Sequence, residues 1–257
     1  MAFSPDSFSL DGRKALVTGG ASGIGAAIAR GLGASGADVC VTFHSRPADQ
    51  TLNAVSDAGR QGHAVQCDLA ALDEDGAGAL AQAARDAIGG LDILVNNAGI
   101  IRRTEALDHS LDDWRAVLST NLDSVFLLSQ AVARIMAKAG GGASVSTASV
   151  LSYQGGILVP GYAASTHALV GLTQALANEW AGQGINVNAI APGYTATENT
   201  KALREDPERS AALLARIPAG RFAEPDEMVG AVVFLCSEAA SYVHGSVIVI
   251  DGGWLAR

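Results

Sequence analysis

Short apolar runs alternate with longer, Ala-rich helical stretches along almost the whole chain, and this alternation constrains the fold more than any other feature. The runs cover residues 14–20, 37–43, 63–69, 91–99, 143–149, 185–193 and 245–253. Helical patterns fall between them at 23–36, near 47–60, at 72–88, as two stretches around 105–137, from 161 to about 183, at 196–215 and at 225–237. Strands separated by helices return parallel to one another, and right-handed crossovers then cover both faces of the sheet. The expected fold class is α/β: a single doubly wound, seven-stranded parallel sheet with helices on both faces, of Rossmann type. No linker or repeat divides the chain, so residues 1–257 read as one domain. In such a sheet, ligands sit at the carboxyl ends of the strands.

Composition narrows the partners. The formal net charge is −9 with no cluster of Lys or Arg, which argues against nucleic acid or an anionic membrane as a partner. Cys40, Cys67 and Cys236 are far apart, without metal-ligand spacing, and no metal site is expected. Cys40 and Cys67, in or beside strands, read as small buried hydrophobes suited to a reducing compartment. The opening "MAFSPDSFSLDGRK" lacks a signal-peptide apolar stretch, and no segment reads as long enough to span a membrane. A cytoplasmic location is therefore expected.

"TGGASGIG" (18–25) lies where the first strand turns into the first helix. Gly19, Gly23 and Gly25 permit a tight turn and close approach of a pyrophosphate to the helix N-terminus, with Ser22 and Ile24 in the same turn. Its place between a buried strand and an Ala-rich helix makes the motif more specific than glycine spacing alone. An acid at position 43 would bind a ribose 2′-hydroxyl, but the residue is Phe43. Ser45 and Arg46 suit a 2′-phosphate, unless Arg46 is only a solvated loop charge. NAD and NADP both remain open. Asp68, followed by Leu69 just past the third strand, is placed to accept from an adenine amino group.

Several motifs then converge. The glycine turn, "NNAG" (96–99), Asn121 in "STNLDSVF", Ser149, Tyr162 thirteen residues later and "APGYTAT" (191–197) together resemble the short-chain dehydrogenase/reductase family. The resemblance runs from about residue 10 to the end. "NNAGIIRR", "SVLSYQGGILVPGYAAS", "RIPAGR" and "DGGWLAR" look like the branch that oxidises sugar acids such as 2-deoxy-D-gluconate. The resemblance implies that Tyr162 is the general acid/base, that Ser149 bonds the same substrate oxygen, and that Asn121 holds a helix kink and a proton-relay water. Asn97, with Ala98 and Gly99, would lie under the adenosine ribose; Pro192, Gly193, Thr195 and Thr197 would close over the nicotinamide. A homotetramer built by helix pairing is also implied, with "GGWLAR" reaching a neighbouring subunit. The residues themselves support the chemistry. Ser149 ends a strand and Tyr162 begins a helix, so both can face one crevice, where a developing oxyanion needs donors and a proton source.

Position 166 departs from the pattern. The family's lysine four residues after the tyrosine is replaced by Thr166. An ammonium about 5 Å from a phenolate, at an effective dielectric near 20, is worth roughly 3 kcal/mol. Without it a phenol is ionised at neutral pH to only about one part in a thousand. Neighbouring His167 points about 100° away around the helix, and nothing places Lys138 or Lys201 in the crevice. Slow catalysis is the expectation.

At the substrate end, Arg102 or Arg103 is positioned to bind a carboxylate, with surface charge as the alternative. Gln154, Glu105 and Asn199 are candidates for sugar hydroxyls, and 195–215 suits a lid. The leading reading is an NAD(P)-dependent dehydrogenase for a small sugar acid. A non-catalytic dinucleotide sensor or scaffold, and a dehydrogenase of another alcohol or ketone, stand as alternatives.

Overall fold

A computed structural model describes residues 4–257; residues 1–3 of the N-terminal stretch discussed above lie outside the described residues. In chain order the elements are β1 (Lys14–Val17), α1 (Gly23–Ala34), β2 (Asp38–Phe43), α2 (Asp49–Asp57), β3 (Gly62–Gln66), α3 (Glu74–Ile88), β4 (Ile93–Asn96) and α4 (Leu111–Leu118). Then follow α5 (Ser124–Ala139), β5 (Gly142–Thr147), α6 (Pro160–Trp180), β6 (Ile185–Pro192), α7 (Glu198–Glu205), α8 (Pro207–Arg216), α9 (Val229–Cys236) and β7 (Val247–Ile250). The strands form one sheet in the order β3-β2-β1-β4-β5-β6-β7, with every pair parallel. Chain direction across the sheet reverses between β1 and β4, the switch point where crevices form in such sheets.

Period-two alternation sends successive strand residues to opposite faces. Ala15, Val17, Ile93 and Val95 join Ile28 and Leu32 of α1 and Val232 and Leu235 of α9 in one core. Leu16 and Leu94 point the other way, into Leu80 and Ala84 of α3 and Leu128, Val132 and Met136 of α5. Each fully buried Leu or Ile contributes roughly 1.5–3 kcal/mol relative to exposure, so both layers are needed to hold the sheet. A third, small cluster of Val150, Ile217 and Trp254, joined by Tyr194, Leu213 and Leu255, lies past the carboxyl ends of the strands.

Four expectations are corrected. The two helical stretches around 105–137 are one helix: Ser110 caps its start by accepting from the Asp113 N–H at 3.1 Å, and a π turn over Ser119–Asp123 carries α4 into α5. The continuous Leu111–Ala139 helix has 29 residues and is, by length and composition, long and apolar enough to cross a membrane, against the expectation of no such segment. Here 56% of its most apolar window is buried within the chain, chiefly against α3 and the sheet. The 196–215 segment is two helices, because Pro207 has no N–H to continue α7 and Asp206 instead caps α8. Cys40 and Cys236 are buried, and burial pushes both thiols up to about 12, but Cys67 is only partly buried.

Candidate active site

The glycine turn after β1 is built for close approach. Gly19 and Gly23 have φ of +67° and +56°, conformations that favour glycine. A Cβ on Gly25 would stand 2.3 Å from the Gly19 carbonyl oxygen and 2.4 Å from Asn97 Nδ2. Exposed Ser22 is the N-cap of α1 but makes no side-chain capping bond. The first-turn N–H groups, including those of Gly23 and partly buried Ile24, thus lack the usual side-chain acceptor. An anionic dinucleotide phosphate would supply it, and no acidic residue in the first turn opposes one. Thr197 meets the same turn: a Cβ on Gly23 would lie 3.5 Å from its methyl.

Thr18, passed over in the sequence, organises the β1–β4 switch. Its hydroxyl accepts from the N–H of Asn97 at 2.9 Å and of Ala98 at 3.1 Å, while Asn97 Nδ2 donates to its carbonyl at 3.1 Å. The "TGG" motif contained this residue, but its cross-strand role needed the sheet register. Gly99 closes against Asn121, whose Oδ1 would be 3.3 Å from an added Cβ. Asn121 sits in the π turn, 4% exposed, accepting from the Ile100 N–H at 2.8 Å and donating to the Ile100 carbonyl at 3.0 Å. The widened turn is what aims this amide at the end of β4.

Past β2, Ser45 and Arg46 are exposed, and Arg46 has no ion-pair partner among the described residues. Asp68 accepts from the Ala70 N–H at 3.0 Å, capping a turn that starts at Leu69, and lies 4.0 Å from His44. At the far side Pro192 is buried at the end of β6, and Gly193 is packed so closely that a Cβ would be 2.7 Å from Asp251 Cα. Buried Thr195 donates to the Gly193 carbonyl at 3.2 Å.

Ser149 and Tyr162 meet over β5. The Ser149 hydroxyl accepts from the Leu151 N–H at 3.1 Å, which orients it, and its own N–H donates to Ser152 Oγ at 3.3 Å. The ring of Tyr162 is partly exposed, but burial of its phenol is the largest influence and raises its pKa above the ordinary value. A hydrogen bond with the Ser149 hydroxyl and the charge of Arg103 act in the opposite direction, and are outweighed. Thr166, 2% exposed, donates to the Ala163 carbonyl of its own helix at 3.2 Å. His167 is exposed and its Nδ1 lies 2.8 Å from the same carbonyl. Neither replaces a cation beside the phenol.

The substrate side separates the two arginines. Arg102 Nε lies 3.3 Å from Asp113 on α4, so its charge is already paired. Arg103 donates to the Asn199 carbonyl of α7 at 2.8 Å and acts on both Tyr162 and Tyr194. Gln154 accepts from Arg216 at 3.1 Å. Tyr194, Arg216 and Trp254 complete this wall and were not anticipated, since three segments far apart in the chain supply them. Burial raises the Tyr194 pKa, against the lowering influence of Arg216, Arg209 and Arg103. In the C-terminal segment, the Trp254 ring lies 4.8 Å from that of Tyr194, centroid to centroid.

A family model described as enoyl-(acyl carrier protein) reductase matches residues 19–255. A 2-dehydro-3-deoxy-D-gluconate 5-dehydrogenase of Bacillus subtilis strain 168 is 47% identical over all of both chains. A structure from Agrobacterium tumefaciens with bound NADP, described provisionally as a 2-deoxy-D-gluconate 3-dehydrogenase, is 50% identical with a TM-score of 0.91, covering 98% of this chain and 100% of that one. A gluconate 5-dehydrogenase from Burkholderia cenocepacia J2315, in complex with NADP and tartrate, is 38% identical with a TM-score of 0.91, covering 98% of each chain.

Proposed function

Since the chain belongs to the short-chain dehydrogenase/reductase family, we propose that it interconverts a secondary hydroxyl and a ketone on a small sugar acid such as 2-deoxy-D-gluconate or 2-dehydro-3-deoxy-D-gluconate, with NAD or NADP as cofactor. The observation that carries this reading is the contact of the Ser149 hydroxyl with the Tyr162 phenol, in a chain whose first helix has no side-chain cap at its N-terminus. When bound, the nicotinamide supplies a hydride acceptor or donor. The chain's own residues do the rest. Gly19, Gly23 and Gly25 with Ser22 and Ile24 hold the phosphates; Asp68, Leu69, Asn97, Ala98 and Gly99 border the adenosine; Pro192, Gly193, Thr195 and Thr197 flank the nicotinamide. Ser45 and Arg46 would hold a 2′-phosphate.

Tyr162 moves the proton at its phenol oxygen, and Ser149 steadies the substrate oxygen through the same small network. Asn121, fixed at the π turn, orients the end of β4 beside them. Thr166 supplies no charge, so the phenol ionises late and turnover is slow. Arg103 faces the acid, while Arg102 is committed to Asp113. One domain carries both cofactor and substrate sites. A cytoplasmic homotetramer fits the exposed Phe126 on α5 and Leu111 on α4, apolar side chains that a subunit contact would cover.

A panel assay tests the reading. Wild type and Thr166→Lys are each given NAD or NADP with 2-deoxy-D-gluconate, D-gluconate or a neutral polyol, following reduced-cofactor absorbance. Turnover of the acids, stronger in the lysine form, is expected. Cofactor binding with no turnover by either form would instead assign a dinucleotide sensor.

A further inference from the structure

The sugar-acid reading gives the acid a single arginine, Arg103, and the inference that a second one grips it rests on that reading. Around Tyr194, at the edge of the cleft, stand Arg103, Arg209 and Arg216. Arg13, Arg30, Arg60, Arg102 and Arg221 all sit on carboxylates, but among the described residues none of these three does. Other arginines among the described residues also lack an ion pair, but in a chain of net charge −9 these three act together on one tyrosine.

Arg216 is the most firmly held of the three. Its guanidinium carbon lies 3.8 Å from the centre of the Trp254 ring, and Nη2 donates to Gln154 Oε1 at 3.1 Å. That bond uses one of five N–H donors, so the flat fork stays available for an anion. Trp254 is 3% exposed, and its indole N–H is buried without an acceptor, so stacking and apolar packing place the ring, not a hydrogen bond. It packs on Val150, which follows Ser149, and on Ile217, which follows Arg216. The segment behind it is tied down: Asp251 accepts from the Gly253 and Leu255 N–H groups at 2.8 and 2.9 Å. Arg257 donates to the Ala215 and Arg216 carbonyls at 3.2 and 3.3 Å, capping α8. A long, exposed side chain ordinarily keeps its rotamer freedom, and this one has been ordered in advance.

We propose that Arg216 is a carboxylate-binding residue of the substrate site, working with Arg103 of the loop after β4, and that Trp254 is the positioning residue that holds its guanidinium there. Arg209, seven residues earlier on the same face of α8, adds charge at the rim.

Calorimetric titration of the full chain saturated with NADP tests this, with D-gluconate as ligand, galactitol as neutral control, and NADP affinity as the check on folding. Arg216→Gln is expected to weaken gluconate binding roughly tenfold or more while NADP affinity holds. Trp254→Leu should weaken it similarly, Trp254→Phe should restore most of it, and the Arg216→Gln/Trp254→Leu double variant should be no weaker than Arg216→Gln alone. If Trp254→Leu loses NADP binding through misfolding, Arg216→Gln and Trp254→Phe carry the test. Unchanged gluconate affinity in Arg216→Gln overturns this inference alone. Additive losses in the double variant overturn the positioning role. Wild-type protein that binds NADP but no gluconate overturns the sugar-acid reading and this inference together.

Discussion

The Ser152 hydroxyl donates to the Thr166 backbone carbonyl at 2.8 Å, joining the turn that presents Ser149 to the helix that presents Tyr162. Ser152 also accepts from the Ser149 N–H at 3.3 Å, so one buried side chain sets the spacing of the pair. Removing it leaves buried polar groups unpaired, at about 1–3 kcal/mol. Ser152→Ala is expected to lower stability by that amount in urea unfolding and to lower kcat more than it raises KM. Unchanged kcat would show that the link does not serve the reaction.

Restoring the cation is the most direct change. Thr166→Lys is expected to raise turnover roughly 10²-fold, through a phenol that gives up its proton more readily. Steady-state kcat with a sugar acid checks it. Thr166 is 2% exposed, so the longer side chain must find room; a parallel melt separates poor folding from poor chemistry.

The pH profile should carry the same signature. Burial holds the Tyr162 pKa above its usual value of about 10 despite Ser149 and Arg103. Only the ionised phenol accepts a proton in the oxidation direction, so the wild-type oxidation rate should climb with pH beyond 10 without a plateau. An ammonium added at position 166 favours the phenolate and moves that limb to lower pH. A wild-type plateau near neutrality would identify another group as the base.

Away from the cleft, Asp38 anchors the start of β2. It is buried, paired with Lys14, lies 3.5 Å from Arg60 Nε, and accepts from the Gln61 N–H at 2.8 Å. Burial raises its pKa, but Lys14, the Gln61 N–H and Arg60 together bring it below the ordinary 3.8. Its folded pKa is thus depressed, so its stabilisation is complete above the unfolded value and fades as pH falls through the folded one. Asp38→Asn is expected to cost about 1–3 kcal/mol at neutral pH, with the difference from wild type shrinking below pH 4. Urea titrations at both pH values measure it.

Gly25 has no room for a methyl, with the Gly19 carbonyl and Asn97 amide 2.3 and 2.4 Å from where it would sit. Gly25→Ala must push the β1–α1 turn away from the end of β4, and a loss of several kcal/mol is expected, as for overpacked cores. NADP affinity should fall with it. Gly78→Ala, where a Cβ meets nothing within 4 Å on α3, is the control that should keep both.

Much of this molecule was legible along the chain because its signals are local. Strand and helix periods are set by neighbouring residues, so the seven strands and their parallel order of layers followed from alternation. The glycine turn, Ser149 and Tyr162 were readable because strand-to-helix junctions place them at one edge of the sheet, whereas Thr166 stood out only against the family resemblance. Other features depended on distance. Whether two helices join through a π turn depends on what Asn121 finds at Ile100. Arg102 and Arg103 are adjacent in sequence, and only packing sends one to Asp113 and the other toward Tyr162 and Tyr194. The wall of Tyr194, Arg216 and Trp254 was invisible for the same reason: side-chain contacts between the loop after β6, α8 and the C-terminal segment have no period to read. Local chemistry determined the scaffold and the placing of Ser149 and Tyr162 at strand-to-helix junctions, and tertiary packing decided which charges were paired and which were not.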